Sequence, residues 1–111
     1  MSTREEAYDE AIQLQQEGQL TEAIGRLERL VEQEPDYALA HAALSVFYGK
    51  LEQFEKSVEH GRRVCQLESD DPFSFVAMSL LCQKAGKIEE AEQSLLRARQ
   101  VEFAARRGAA T

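Results

Sequence analysis

The side chains in this 111-residue chain whose types could carry chemistry are two histidines, two cysteines and an acidic run near the start. A metal centre or an acid–base site needs such groups gathered on one face, for instance ligands one helical turn apart or cysteines in close pairs. His41 and His60 fall in different segments, and neither has a cysteine or carboxylate at ligand spacing on its own face. Cys65 and Cys82 form neither a disulfide framework nor a metal pattern, and read as reduced, partly buried thiols. Glu5, Glu6, Asp9 and Glu10 suit the positive first turn of a helix, and Arg62-Arg63 suits a solvated face. No glycine-rich phosphate loop, Gly-x-Ser-x-Gly or His-Glu-x-x-His occurs. The expectation is a protein that is not an enzyme, with no catalytic residues, no cofactor and no metal.

The segments that would position these residues repeat. Gly18-Gln19-Leu20-Thr21-Glu22-Ala23-Ile24 is restated by Gly86-Lys87-Ile88-Glu89-Glu90-Ala91-Glu92 at a distance of 86 − 18 = 68, twice 34. Midway, Glu52-Gln53-Phe54-Glu55-Lys56-Ser57-Val58 carries the same pattern with its glycine lost. Three tandem units result, 4–37, 38–71 and 72–105, and a period of this length marks a solenoid or array. In residues 4–17, Ala7, Ala11 and Leu14 fall at i, i+4 and i+7, which predicts a helix that Gly18 ends. Thr21 is the expected cap of a second helix whose stripe is Ala23, Ile24, Leu27, Leu30 and Val31, finished by Pro35. The cycle recurs as helices 38–51 and 55–68, then 72–85 and 89 to about 105. Ser69-Asp70-Asp71-Pro72 is the break, with Pro72 at a first helical position where its missing N–H is no loss. Residues 106–111 are expected to be a tail, frayed from Gly108 onward.

Composition agrees. With 43% apolar residues the chain has material for one modest domain, 1–111, and for no second one. No apolar run is long enough to span a membrane, and the N-terminus leads into acidic helix rather than a signal sequence, so the expected location is cytoplasmic, with no membrane partner. The net charge of −7 is uneven: ten acids against three bases in 4–37, six against four in 38–71 and four against four in 72–105. With no basic stripe to displace phosphate counterions, nucleic acid is excluded as a partner.

These residues resemble the tetratricopeptide repeat, a 34-residue helix-turn-helix unit with small and large apolar residues at set places. Gly18, Leu20, Ala23, Leu27, Leu30 and Pro35 carry the likeness in the first copy. Leu44, Tyr48, Phe54, Ser57 and Val64 carry it in the second, and Met78, Gly86, Ile88, Ala91, Leu95 and Ala98 in the third. The resemblance runs from residue 4 to 105 without insertion or deletion. It implies an all-α solenoid of six helices in three antiparallel pairs. Glu10 stands where a leucine is usual, Ser45 and Ser79 replace a small alanine or glycine, and Gly61 replaces a bulky residue.

The first helices of the second and third copies are apolar almost all round. Packing in the stack accounts for one face, with His41, Leu44, Ser45 and Tyr48 or Phe75, Met78, Ser79 and Cys82. A second face, Leu39, Ala42 and Val46 or Phe73, Val76 and Leu80, has the same spacing and nothing to cover it, although a helix apolar on every side is normally buried on every side. The resemblance implies that this face, with Tyr8 and Ile12 as first-copy counterparts, lines a concave groove for an apolar or amphipathic segment of a protein partner, an adaptor or chaperone-like role. The family's grip on a C-terminal carboxylate is not implied, because its lysine, asparagine and arginine positions hold Tyr8, Ile12, Ala43, Phe73 and Ala77. The alternative is a self-assembling scaffold. Leu96 and Phe103 form an apolar pair at i and i+7 on the last helix, where earlier copies have charged Glu28 and Arg62 in the place of Leu96, and they are the expected association surface of a homodimer.

Overall fold

The computed structural model describes residues 3–110. Six helices follow one another: α1 (Arg4–Gln16), α2 (Leu20–Gln33), α3 (Ala38–Lys50), α4 (Phe54–Leu67), α5 (Pro72–Lys84) and α6 (Ile88–Ala110). No strand occurs among the described residues, and none of their helices is long and apolar enough to cross a membrane.

Local chemistry sets most of the boundaries. The Thr3 hydroxyl accepts from the Glu6 N–H at 3.1 Å and opens α1. Asp71 does the same for α5, accepting from the Phe73 N–H at 3.0 Å with Pro72 at the first position. Thr21 is not the cap of α2. That helix begins at Leu20, two residues earlier than a Thr21 cap would place it, after Gln19, whose side chain makes no capping bond. The cause is the preceding turn, which hands the chain straight from one helix to the next. In each pair the residue after the turn donates back across it, Gln19 to Leu14 O (2.8 Å), Gln53 to Tyr48 O (3.0 Å) and Lys87 to Cys82 O (2.8 Å). This bond closes the last turn of the first helix and needs a left-handed residue just before it. Gly18 (φ 83°), Glu52 (φ 58°) and Gly86 (φ 77°) fill that place.

The last helix departs from expectation. Rather than stopping near 105 it runs to Ala110, while Thr111 lies outside the described residues. Gly108 is not in the left-handed conformation that ends a helix, and Ala104, Ala105, Arg106 and Arg107 are strong helix formers, supported by an Arg106–Glu102 pair one turn apart.

Each helix packs on its predecessor and its successor, so the stack is linear. The Cα radius of gyration is 15.1 Å, against about 13 Å for a compact domain of this length. Burial falls into two clusters. One joins α1, α2 and α3 through Ala11, Ala23, Ile24, Leu27, Leu44 and Phe47. The other joins α4, α5 and α6 through Val58, Met78, Cys82 and Ala91. The contact of α3 with α4 is lined instead by buried or half-buried polar groups, His41, Ser45, Ser57 and His60, with the Ser57 hydroxyl donating to Ser45 O at 2.6 Å. Two departures from the repeat pattern find their reasons. Glu10 is exposed and pairs with Arg26 at 3.3 Å. Gly61 admits α5, since a Cβ there would lie 2.6 Å from Leu81 Cδ1 and 3.0 Å from Met78 Sδ.

Glu52 is the one described non-glycine residue with a positive φ. The left-handed conformation costs a residue with a Cβ roughly 1–2 kcal/mol, and glycine returns about 0.4–1 kcal/mol of that through the freer unfolded chain. Glu52→Gly is therefore expected to stabilise the protein by about 0.5–1 kcal/mol. A thermal melt should show a rise of a few degrees, and a fall would mean that the turn depends on the Glu52 side chain.

Candidate functional site

The second face of the first helices is exposed. On α3, Leu39 and Val46 stand out from the surface. On α5, Phe73, Val76 and Leu80 do so, and exposure across the five runs from 40% at Val76 to 79% at Phe73. Ala42, between Leu39 and Val46, is half-buried. The opposite face of each helix is spent inside the stack, Leu44 and Tyr48 in one and Met78 and Cys82 in the other. Tyr8 and Ile12 are engaged differently, being half-buried and packed on the first core cluster. The Tyr8 ring meets Tyr37 edge to face at 6.2 Å, and the Arg4 guanidinium covers Tyr37 at 4.5 Å. Burial raises the phenol of Tyr8, with the neighbouring Tyr37 adding to it. At the far end, Leu96 (56%) and Phe103 (63%) are exposed on α6, with the Arg107 guanidinium 5.9 Å from the Phe103 ring.

The titratable residues are arranged in a way that spacing along one helix does not reveal. His41 on α3 and His60 on α4 meet Nδ1 to Nδ1 at 3.0 Å. His60 Nε2 lies 3.1 Å from Glu28 Oε1 on α2, and the Tyr48 hydroxyl donates to that same oxygen at 2.9 Å. His41 Nε2 closes the chain on Pro35 O at 2.8 Å. The carboxylate comes from another helix, so the reading that neither histidine has one at ligand spacing on its own face does not report it. The approach comes from stacking α2 of the first pair against the next pair, so it links residues in three helices. The signal for it was the polar content of the face assigned to packing, where His41 and Tyr48 interrupt an otherwise apolar stripe.

The cysteines and the Arg62–Glu90 pair are held in other surroundings. Burial pushes the Cys65 thiol up to about 11, and Sγ leans on Ser74 O at 3.4 Å. Burial likewise raises Cys82. Both thiols therefore stay protonated and unreactive near neutral pH. Arg62 grips Glu90 through two bonds of 2.7 and 2.8 Å, holding that carboxyl below its ordinary range and tying α4 to α6.

Among solved structures the backbone is similar to MamA, with a TM-score of 0.83 at 18% identity over 95% of this chain and 61% of that one. It is similar also to the CopN-Scc3 complex, with a TM-score of 0.81 at 19% identity over 88% of this chain and 58% of that one. The second tetratricopeptide repeat domain of Spaghetti (RPAP3), bound to an HSP90 peptide, gives a TM-score of 0.76 at 19% identity over 88% of this chain and 91% of that one. The chain has the tetratricopeptide-repeat fold. Identities this low speak for the fold alone. The sequence matches no family model, and no curated protein matches it. The chain spans about three-fifths of the length of MamA and of the matched chain of CopN-Scc3.

Tyr48 yields a test of the stack. Burial first, then the bond to Glu28, raises its phenol from 10.0 to about 12. The folded chain therefore holds this proton more tightly than the unfolded chain. The resulting stability is fully present below pH 10 and is lost as pH rises from 10 through 12. Alkaline titration followed by circular dichroism should show unfolding in that window. Tyr48→Phe should be less stable than the parent at neutral pH and show a weaker decline across the window, whereas an unchanged alkaline profile would mean that Tyr48 is not coupled to folding.

Proposed function

We propose that the exposed face formed by Leu39, Ala42 and Val46 on α3 and Phe73, Val76 and Leu80 on α5, flanked by Tyr8 and Ile12, receives an apolar or amphipathic segment of a protein partner. The observation that carries this reading is the exposure of five large apolar side chains on two successive first helices. Such a patch is costly to leave in water and on soluble proteins often marks an interaction site. A helical segment with apolar residues one turn apart has the complementary shape. Protein binding is also the use that the Spaghetti domain makes of this fold, with an HSP90 peptide. A grip on a terminal carboxylate is not the mode proposed for this chain, because Tyr8, Ile12, Ala43, Phe73 and Ala77 offer no cation to hold one. The role proposed is a binding one rather than an enzymatic one.

The test is a displayed peptide library selected on the purified parent chain. Enriched peptides should carry apolar residues at i and i+3 or i+4, and their binding should change little with salt, since apolar burial carries it. Val46→Asp and Val76→Asp should each fold with a stability within about 1 kcal/mol of the parent, as exposed substitutions do, and lose at least tenfold in affinity. Failure of either variant to fold would place the residue in the core. Full retention of affinity in both would put the binding site elsewhere.

A second reading rests on α6, where Leu96 and Phe103 stand exposed on a helix longer than the other five. Burying both is worth about 3–6 kcal/mol, so a second copy meeting the first along this stripe would give a homodimer. Leu96→Glu with Phe103→Glu should then halve the mass seen by light scattering. An unchanged mass would leave the stripe without that role.

A further inference from the structure

The chain of side chains at the junction of α2, α3 and α4 does not close unless it holds one proton more than neutral histidines supply. The carbonyl of Pro35 can only accept, so His41 Nε2 carries a hydrogen and donates to it. The Glu28 carboxylate accepts from the Tyr48 hydroxyl and from His60 Nε2, which therefore carries a hydrogen too. A neutral imidazole with a protonated Nε2 has a bare lone pair at Nδ1. Two such lone pairs would face each other at 3.0 Å, which is repulsive, whereas a proton between them makes a charge-assisted bond.

Geometry separates a proton from a metal ion. The ring centroids are 5.2 Å apart, more than the Nδ1 separation by about two ring radii, so the rings meet head-on. A metal bound at about 2.0–2.1 Å from each nitrogen would need either roughly 4 Å between them in a linear arrangement, or lone pairs converging on a third point. Neither fits.

We propose that His41 and His60 form a proton-binding site, an imidazolium–imidazole pair balanced by Glu28, which clasps the first helical pair to the second. His60 carries the charge, because its Nε2–H faces the carboxylate. His41 is the neutral partner. It is only 7% exposed, and burial, with lesser contributions from His60 and Arg63, holds it below its ordinary value. The other charged groups around the pair are Asp36 in the loop before α3 and Lys56, Glu59, Arg62 and Arg63 on α4. Arg63 is bound to Asp36 at 2.7 Å and Arg62 to Glu90, Lys56 lies over the Tyr48 ring at 5.3 Å, and Glu59 lines the mouth of the same cleft. Glu28 is the anion in direct contact.

The site belongs to one junction. One period on, Glu28, His41, Tyr48 and His60 become Arg62, Phe75, Cys82 and Ser94, and the clasp there is the Arg62–Glu90 pair, which does not titrate near neutral pH. The signs follow. A proton shared by the pair is held more tightly by the folded chain than by the unfolded one, so its contribution is lost as pH rises through its release. A second proton is refused by His41, whose value is depressed, so below about pH 6.5, where unfolded histidine charges, stability falls again. The contribution peaks between the two.

The test uses the whole chain, whose two histidines make the ring signals simple to assign. Nitrogen-15 spectra between pH 8.5 and 5 should show uptake of one proton by the pair, one doubly protonated ring beside one protonated at Nε2 alone, and scalar coupling between the two Nδ1 nuclei. Glu28→Gln keeps an acceptor for Tyr48 and His60 while removing the charge, and should lower the proton affinity at least tenfold. Two independent single-ring titrations without coupling would overturn the proposal, as would uptake in Glu28→Gln at the parent's pH. Displacement of the proton by zinc chloride, with both Nδ1 signals shifting, would replace it with a metal site.

Discussion

Everything in this stack depends on how closely the two helices of each pair can approach where Ala23, Ser57 and Ala91 cross their partners. All three are buried and all three are small. A larger side chain there would overpack the crossing at a cost of roughly 1–3 kcal/mol. The crossing fixes which face of each first helix is consumed in the pair, and so which face is left for other use. The exposed side chains of α3 and α5 are a consequence of that choice.

The periodicity in the sequence was enough to place these crossings. Residues 34 apart share an environment, as with Gly18, Glu52 and Gly86, which take one backbone conformation despite a change of residue type. The five exposed apolar side chains were legible for the same reason, because the stack leaves a predictable face uncovered. Other features were hidden because they depend on partners far away in the chain. The meeting of His41 with His60 and Glu28 requires three helices, and no spacing within one helix encodes it. The end of α6 was misread because a glycine stops a helix only when it turns left-handed and something after it packs back, and Gly108 does not turn. The early start of α2 reflects a turn bond made by the backbone, which a side-chain signal such as Thr21 does not report.

The charge distribution serves the same architecture. Acidic residues crowd the first pair, where Glu10 finds Arg26 and Glu5 finds Arg4. Exposed pairs of this kind contribute little to stability. The net charge of −7 opposes chance association of the apolar side chains left uncovered on α3 and α5.

The polar layer between α3 and α4 divides the apolar interior in two, with Leu27 and Leu44 on one side and Val58 and Cys82 on the other. In a linear array the cooperativity of unfolding comes from the coupling between neighbouring units. A boundary held by hydrogen bonds with directional requirements, rather than by apolar area, couples its two sides differently from the rest. Amide exchange should accordingly divide the chain into two blocks that open at different free energies, with the border running through the second helical pair rather than between pairs.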